Sequence, residues 1–291
     1  MNARFLELEI TGRCHYRCKH CYGSFPREGL LAKQTVMQII DEARKHFDCI
    51  IFSGGEPFLH PDLIELTHYA KDFVVFITTS GYSLNREQVE GLPGNVVLVF
   101  GIDGIGEVHN YYRGMKGAFE MILRSLDLAR QRPKEIIATL WKGIIPQVDE
   151  LIALAEQYEA LLHFNALIPV GRAGSNWEIL LSREENEMIY EKLNELRMQR
   201  GAFLITDLYK ITEKDLKGID LFCKGFSLSQ SAASFQSRKT LLIPDLSSFN
   251  DPGPAASAKP DSSVFGEPEL TAFDIPGPAA TINSGPTSIT S

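Results

Sequence analysis

At 291 residues the chain is long enough for one large domain or two smaller ones, and a core of that size buries about 70 to 75% of the unfolded surface, so no disulfide framework is needed. Its 44% hydrophobic and 23% charged residues set aside the wholly disordered and membrane-embedded classes. A formal charge of -8 argues against the basic face that nucleic-acid binders present to phosphate.

The opening "MNARFLELEI" passes straight into a strand-like pattern, without the apolar run and small residues of a signal peptide. No stretch reaches the roughly 18 to 20 apolar residues that span a bilayer, so a cytoplasmic location is expected. Strands are predicted near Phe5 to Ile10, Cys49 to Phe52, Phe73 to Thr78, Val96 to Ile102, Ile136 to Leu140 and Leu161 to Leu167. Between them the apolar periodicity predicts helices near Lys33 to His46, Leu63 to Lys71, Arg86 to Gly91, Ala118 to Gln131 and Val148 to Tyr158. A sixth helix, about Glu184 to Arg200, follows Ser182 with Glu185 three residues on, the spacing of a capping box. Repeated strand-helix units imply a parallel sheet with helices outside it. An open doubly wound sheet and a curved, incomplete barrel both satisfy the pattern, and in both the chemistry gathers at the carboxyl ends of the strands.

The motifs obey that rule. Three cysteines follow the first strand, "SGGEP" (53 to 57) the second, "TTSGY" (78 to 82) the third, and "DG" (103 and 104) the fourth. After about Ser229 the character changes: the remainder holds eight of the 15 prolines, many serines and alanines, and almost no periodicity beyond "TLLIP". Such a segment buries too little apolar surface to offset its ordering entropy, and is expected to be largely disordered. The expected organisation is a core over 1–207, a short segment over 208–229 and a low-complexity tail over 230–291.

Cys14, Cys18 and Cys21 are spaced C-x3-C-x2-C, with Arg13, Arg17 and Lys19 beside them. Neighbouring cations favour the thiolates that metals require. Five cysteines, three of them this close together, point to a reducing compartment and a metal or redox role. A zinc centre would take His15 or His20 as its fourth ligand. An iron-sulfur cluster on three thiolates would leave one iron open. The loop by itself leaves both readings standing, and no serine, histidine and aspartate set suggests a hydrolase.

The three-cysteine spacing with an aromatic residue next, after a first strand, followed by "GGEP" after the second, resembles the radical S-adenosylmethionine superfamily over about residues 5 to 205. "FGIDGIGEVHNYYRGMKGAFEMILRSL" (100 to 126), "FNALIPVGRA" (164 to 173) and "FCKG" (222 to 225) look like segments of its peptide- and cofactor-maturing branch, the last opening a C-terminal cluster-binding extension. The resemblance implies a partial (β/α)6 TIM-like barrel, with 208–229 a remnant of that extension. It also implies one 4Fe-4S cluster on Cys14, Cys18 and Cys21, its fourth iron chelated by S-adenosyl-L-methionine. Reductive cleavage would yield a 5′-deoxyadenosyl radical that abstracts hydrogen from substrate, with reduced flavodoxin or ferredoxin as electron donor.

By the same resemblance Glu56 would hold the cofactor's ammonium, with Gly54 and Gly55 allowing close backbone approach, and Tyr22 would lie beside the adenine. Thr79 and Ser80 fall near the ribose, where family members carry threonine and asparagine. Gly101 stands where many members have a serine, so a ribose bond from that side chain is missing. Arg113 is the candidate for the ribose hydroxyls or the methionine carboxylate, Asp103 is either a polar ligand or a turn residue, and Asn165 and Arg172 would complete the pocket. The family's extension usually carries further cysteines for auxiliary clusters. Here no cysteine follows Cys223, and Cys49 sits inside a predicted strand, so no complete auxiliary cluster is expected. The leading expectation is an enzyme that modifies a precursor peptide. The alternatives are radical tailoring of a small molecule or tetrapyrrole cofactor precursor, and a non-catalytic iron-sulfur or zinc-binding protein.

Overall fold

Seven parallel strands follow one another across a single sheet in chain order, β1 (Phe5–Thr11), β2 (Cys49–Gly54), β3 (Val74–Thr79), β4 (Val96–Gly101), β5 (Lys134–Leu140), β6 (Leu161–Ala166) and β7 (Leu204–Thr206), in a computed structural model that describes residues 4–23, 28–82, 84–200 and 204–206. The six expected strands are present with ends moved by one or two residues, and the short β7 extends the sheet beyond them. The order decides between the two architectures the alternation allows. A doubly wound sheet reverses strand order at a switch point and so places helices on both faces. Here the order never reverses, so every right-handed crossover lays its helix on the same face. The result is an open partial barrel.

Burial alternates accordingly. Leu6, Leu8 and Ile10 of β1 are buried against the helical layer, whereas Phe5, Glu7 and Glu9 between them face the other side and are only half-buried. Residue registers run unbroken from β2 to β7, and β1 slips by one residue between Glu9 and Thr11, where the cysteine loop departs.

The helices are α1 (Lys33–Ala43), α2 (Leu63–Tyr69), α3 (Arg86–Gly91), α4 (Glu107–Arg113), α5 (Ala118–Leu128), α6 (Val148–Gln157) and α7 (Arg183–Arg200). In α1 the buried residues Val36, Ile39, Ile40 and Ala43 recur at the helical period and form a stripe that joins the main hydrophobic core. Each large aliphatic residue in that stripe contributes about 1.5 to 3 kcal/mol of burial. The capping box that the sequence predicts before α7 forms: Ser182 Oγ accepts from Glu185 N–H at 3.1 Å, and Ser182 N–H donates to Glu185 Oε2 at 2.6 Å.

Helix α4 was not predicted. It is a single short segment between Gly106 (φ 57°) and Gly114 (φ 61°), and glycines at both ends conceal a helix from a periodicity test while allowing the left-handed backbone that starts and stops it. The segments expected at 208–229 and 230–291, with Cys223, lie outside the described residues. Among the described residues no helix is long and apolar enough to cross a membrane.

Candidate metal and cofactor centre

The loop that carries Cys14, Cys18 and Cys21 is held mainly through its backbone, by three segments distant in sequence. At its start, Gly55 N–H donates to Thr11 O at 2.6 Å and Glu56 N–H to Arg13 O at 2.7 Å. A side chain on Gly54 or Gly55 would collide with the carbonyls of Thr11 and Arg13, and Gly54 also has φ 126°, so both positions require glycine. The glycines of "GGEP" therefore admit the cysteine loop itself. In the middle, Arg17 N–H and Lys19 N–H donate to the carbonyls of Arg113 and Tyr112 at the end of α4 (3.2 and 2.8 Å). At its end, Arg172 N–H donates to Cys21 O at 3.0 Å and Asn176 Nδ2 to Lys19 O at 3.1 Å.

Within this frame the three thiols share one small cluster with Tyr16, Ala118 and Met115. Burial pushes the Cys18 thiol up to about 11 and raises Cys14 as well, with Arg113 pulling both the other way. Thiols held together in this way need a cationic partner to ionise. The two loop histidines are directed elsewhere: His15 stacks on Tyr82 at 4.1 Å, and His20 stacks on Tyr112 at 4.7 Å with Nδ1 at 4.0 Å from Asp103. Burial lowers His20 to about 4, so it is neutral at physiological pH. Among the described residues no three His, Cys, Asp or Glu side chains form a set suited to one metal ion. With both histidines stacked on tyrosines, the donors that the loop gathers in one cluster are its three thiols.

Glu56 is 1% exposed, and its carboxylate meets four donors. Oε1 accepts from Phe58 N–H at 3.2 Å and Thr79 Oγ at 2.8 Å; Oε2 accepts from Ser80 N–H at 2.8 Å and Ser80 Oγ at 2.5 Å. Thr79 and Ser80 are therefore brought to Glu56, a pairing the sequence reading missed because the partners lie on separate strands. Tyr22 is about half-exposed at 48%, and the carboxylates of Glu7 and Glu9 together with burial of its hydroxyl raise its pKa.

Asp103 is buried completely. Oδ1 accepts from Thr139 N–H at 2.7 Å, its own N–H donates to His109 Nδ1 at 3.1 Å, and its carbonyl accepts from Trp141 Nε1 at 2.9 Å. Arg113 Nε lies 2.7 Å from Oδ2, close but poorly aligned for a hydrogen bond, so the contact is chiefly Coulombic. Burial pushes Asp103 up, yet Arg113, His20 and the Thr139 N–H outweigh it and hold the carboxyl below its usual range. Asp103 is thus the centre of an internal ion pair. Asn165, the penultimate residue of β6, is half-buried, and Arg172 reaches the loop through its backbone while its buried Nε has no hydrogen-bond partner.

The family model of the Radical SAM superfamily matches residues 8–155. An AdoMet-dependent heme synthase of Methanosarcina barkeri is 31% identical over 237 residues, covering 76% of this chain and 68% of that protein. The mycofactocin maturase MftC of Mycobacterium ulcerans is 32% identical over 186 residues, covering 60% of this chain and 50% of that protein. Among solved structures, Streptococcus suis SuiB bound to the precursor peptide SuiA superposes with a TM-score of 0.60 at 17% identity, covering 70% of this chain and 48% of that one. The chain thus spans two thirds of the first of these proteins and about half of the other two.

Proposed function

We propose that this chain, which belongs to the radical SAM superfamily, initiates a radical reaction at a 4Fe-4S cluster carried by Cys14, Cys18 and Cys21. The observation that carries the reading is the cysteine loop, with three clustered thiols and both histidines turned away. When bound, the cluster and S-adenosyl-L-methionine supply reductive cleavage of a sulfonium bond and a 5′-deoxyadenosyl radical that removes hydrogen from substrate. The protein's own part is to bind, orient and exclude water.

The backbone clamps at residues 54–56, 112–113 and 172–176 fix the three sulfurs relative to one another. Glu56 receives the cofactor ammonium when the Thr79 or Ser80 hydroxyl turns away and frees a lone pair; both hydroxyls rotate, whereas the backbone donors cannot. Gly54 and Gly55 bring Glu56 up to the loop, and Tyr22 offers a ring face to the adenine. Asp103 positions Arg113 for the cofactor's carboxylate or ribose, and Asn165 and Arg172 close the pocket from the β6 side. A cleft of about 310 Å³ lined by Arg13, Cys14, His15, Glu28 and Leu59 opens beside the loop, and a reduced flavodoxin or ferredoxin supplies the electron.

The substrate reading is hydrogen abstraction from a precursor peptide, supported by the likeness to a maturase. A specific observation favours a second: the heme synthase likeness extends over more of this chain, which supports a tetrapyrrole substrate. Anaerobic reconstitution is expected to give about four irons per chain, and incubation with dithionite and S-adenosyl-L-methionine to release 5′-deoxyadenosine. Equal release from Cys18→Ala would overturn the assignment of the loop. Addition of a candidate precursor peptide or an iron porphyrin, with product mass read out, separates the two substrates.

A further inference from the structure

Arg113 occupies an unusual position. Its side chain is only 12% exposed and lies between two groups that carry or acquire negative charge, with Nε 2.7 Å from Asp103 Oδ2 and Nη1 3.9 Å from Cys18 Sγ. It also meets Gly101, where any Cβ would overlap Nη2 and Cζ. The end of β4 therefore lacks a side chain because a guanidinium fills the space. Asp103 cannot follow Arg113 if it moves, since Thr139, His109 and Trp141 all bond it from the far side. Arg113 also carries a permanent charge, and burial keeps that charge unscreened.

We propose that Arg113 sets the reduction potential of the cluster by holding a fixed positive charge against the Cys18 ligand, with Asp103 both positioning that charge and attenuating it. This rests on the assignment of the cysteines to a cluster and goes beyond any contact of Arg113 with the cofactor. Reduction transfers one electron from an external reductant, such as reduced flavodoxin, ferredoxin or dithionite, to the cluster. No bond forms or breaks, and the cluster gains one negative charge. Net local charge and hydrogen bonds to sulfur are among the determinants of iron-sulfur potentials. Arg113 favours the reduced state and raises the potential; Asp103 opposes it.

The test is a redox titration of the full reconstituted chain, followed by the EPR signal of the reduced cluster, first without and then with S-adenosyl-L-methionine. Arg113→Gln is expected to shift the midpoint to more negative potential and Asp103→Asn to more positive potential. Arg113→Lys should stay near the parent value, and Gly101→Ser, which displaces the guanidinium, should follow Arg113→Gln. A purely structural role would not give shifts of opposite sign. Equal or same-direction shifts in Arg113→Gln and Asp103→Asn overturn the inference, as does an Arg113→Gln shift that appears only with S-adenosyl-L-methionine present. Should Arg113→Gln fail to fold around its unpaired aspartate, an unmoved or negative shift in Asp103→Asn overturns it alone. A parent protein that holds no cluster removes the cysteine assignment as well, whereas a parent cluster with unmoved variants removes only this inference.

Discussion

Replacing Glu56 by glutamine isolates what its carboxylate does before any cofactor arrives. The side chain keeps its size, but one of its two acceptor atoms becomes an NH2 donor. If the amide oxygen takes the Ser80 side, the NH2 group faces Phe58 N–H; if it takes the other side, it faces Ser80 N–H. The Thr79 and Ser80 hydroxyls can turn to accept, but a backbone N–H cannot, so in either orientation one buried donor is left without a partner. An unsatisfied buried donor costs about 1 to 3 kcal/mol, and the remaining bonds lose their charge assistance. A loss of about 2 to 4 kcal/mol follows, equivalent to a fall in Tm of roughly 5 to 15 °C for a domain of this size. The assay is thermal unfolding of the metal-free protein followed by circular dichroism. A Glu56→Gln variant melting with the parent, or above it, would refute the argument and show that the carboxylate is held ready for a ligand at a cost to the fold.

Three further outcomes follow from the same contacts. Gly55→Ala places a Cβ against the Arg13 carbonyl, and the variant should lose about 1 to 3 kcal/mol of stability and bind less iron, measured by denaturation and iron analysis. His109 is buried and its pKa is lowered to about 3, chiefly by burial and then by Arg113. The unfolded chain takes up this proton near pH 6.5 and the folded one does not, so the histidine's contribution is fully present above that pH and is lost as pH falls toward about 3. His109→Gln, which can still accept from Asp103 N–H, should therefore show a shallower loss of stability across that window by pH-dependent denaturation. Ser182→Ala removes one half of the capping box and should cost about 1 kcal/mol, measured as a lower denaturation midpoint with no change in iron content.

Strands and long helices were legible in the sequence because their burial is periodic, and the capping box at Ser182 because its partners are three residues apart. The cysteine loop and "GGEP" were legible as motifs. What escaped the sequence were relations across strands. Thr79 and Ser80 serve Glu56, more than twenty residues earlier, through hydroxyls that no local pattern marks. Gly101 seemed to lack a bond to ribose, whereas its missing side chain makes room for Arg113, twelve residues later and on a helix that the flanking glycines concealed. The clamps on the loop use backbone groups almost entirely, and backbone hydrogen bonds leave no signature in residue type.

Those clamps also order events in time. Residues 12 to 21 leave the ribosome early, but their holding partners follow at 54–56, then at 112–113, and last at 172–176, up to 157 positions away. Synthesis proceeds at about 5 to 20 residues per second, so the nascent loop waits on the order of ten seconds for its final support. During that interval the three thiols are present without the last of the contacts that hold their loop. A chain interrupted before residue 172 would therefore carry all three cysteines and still lack the last of these supports.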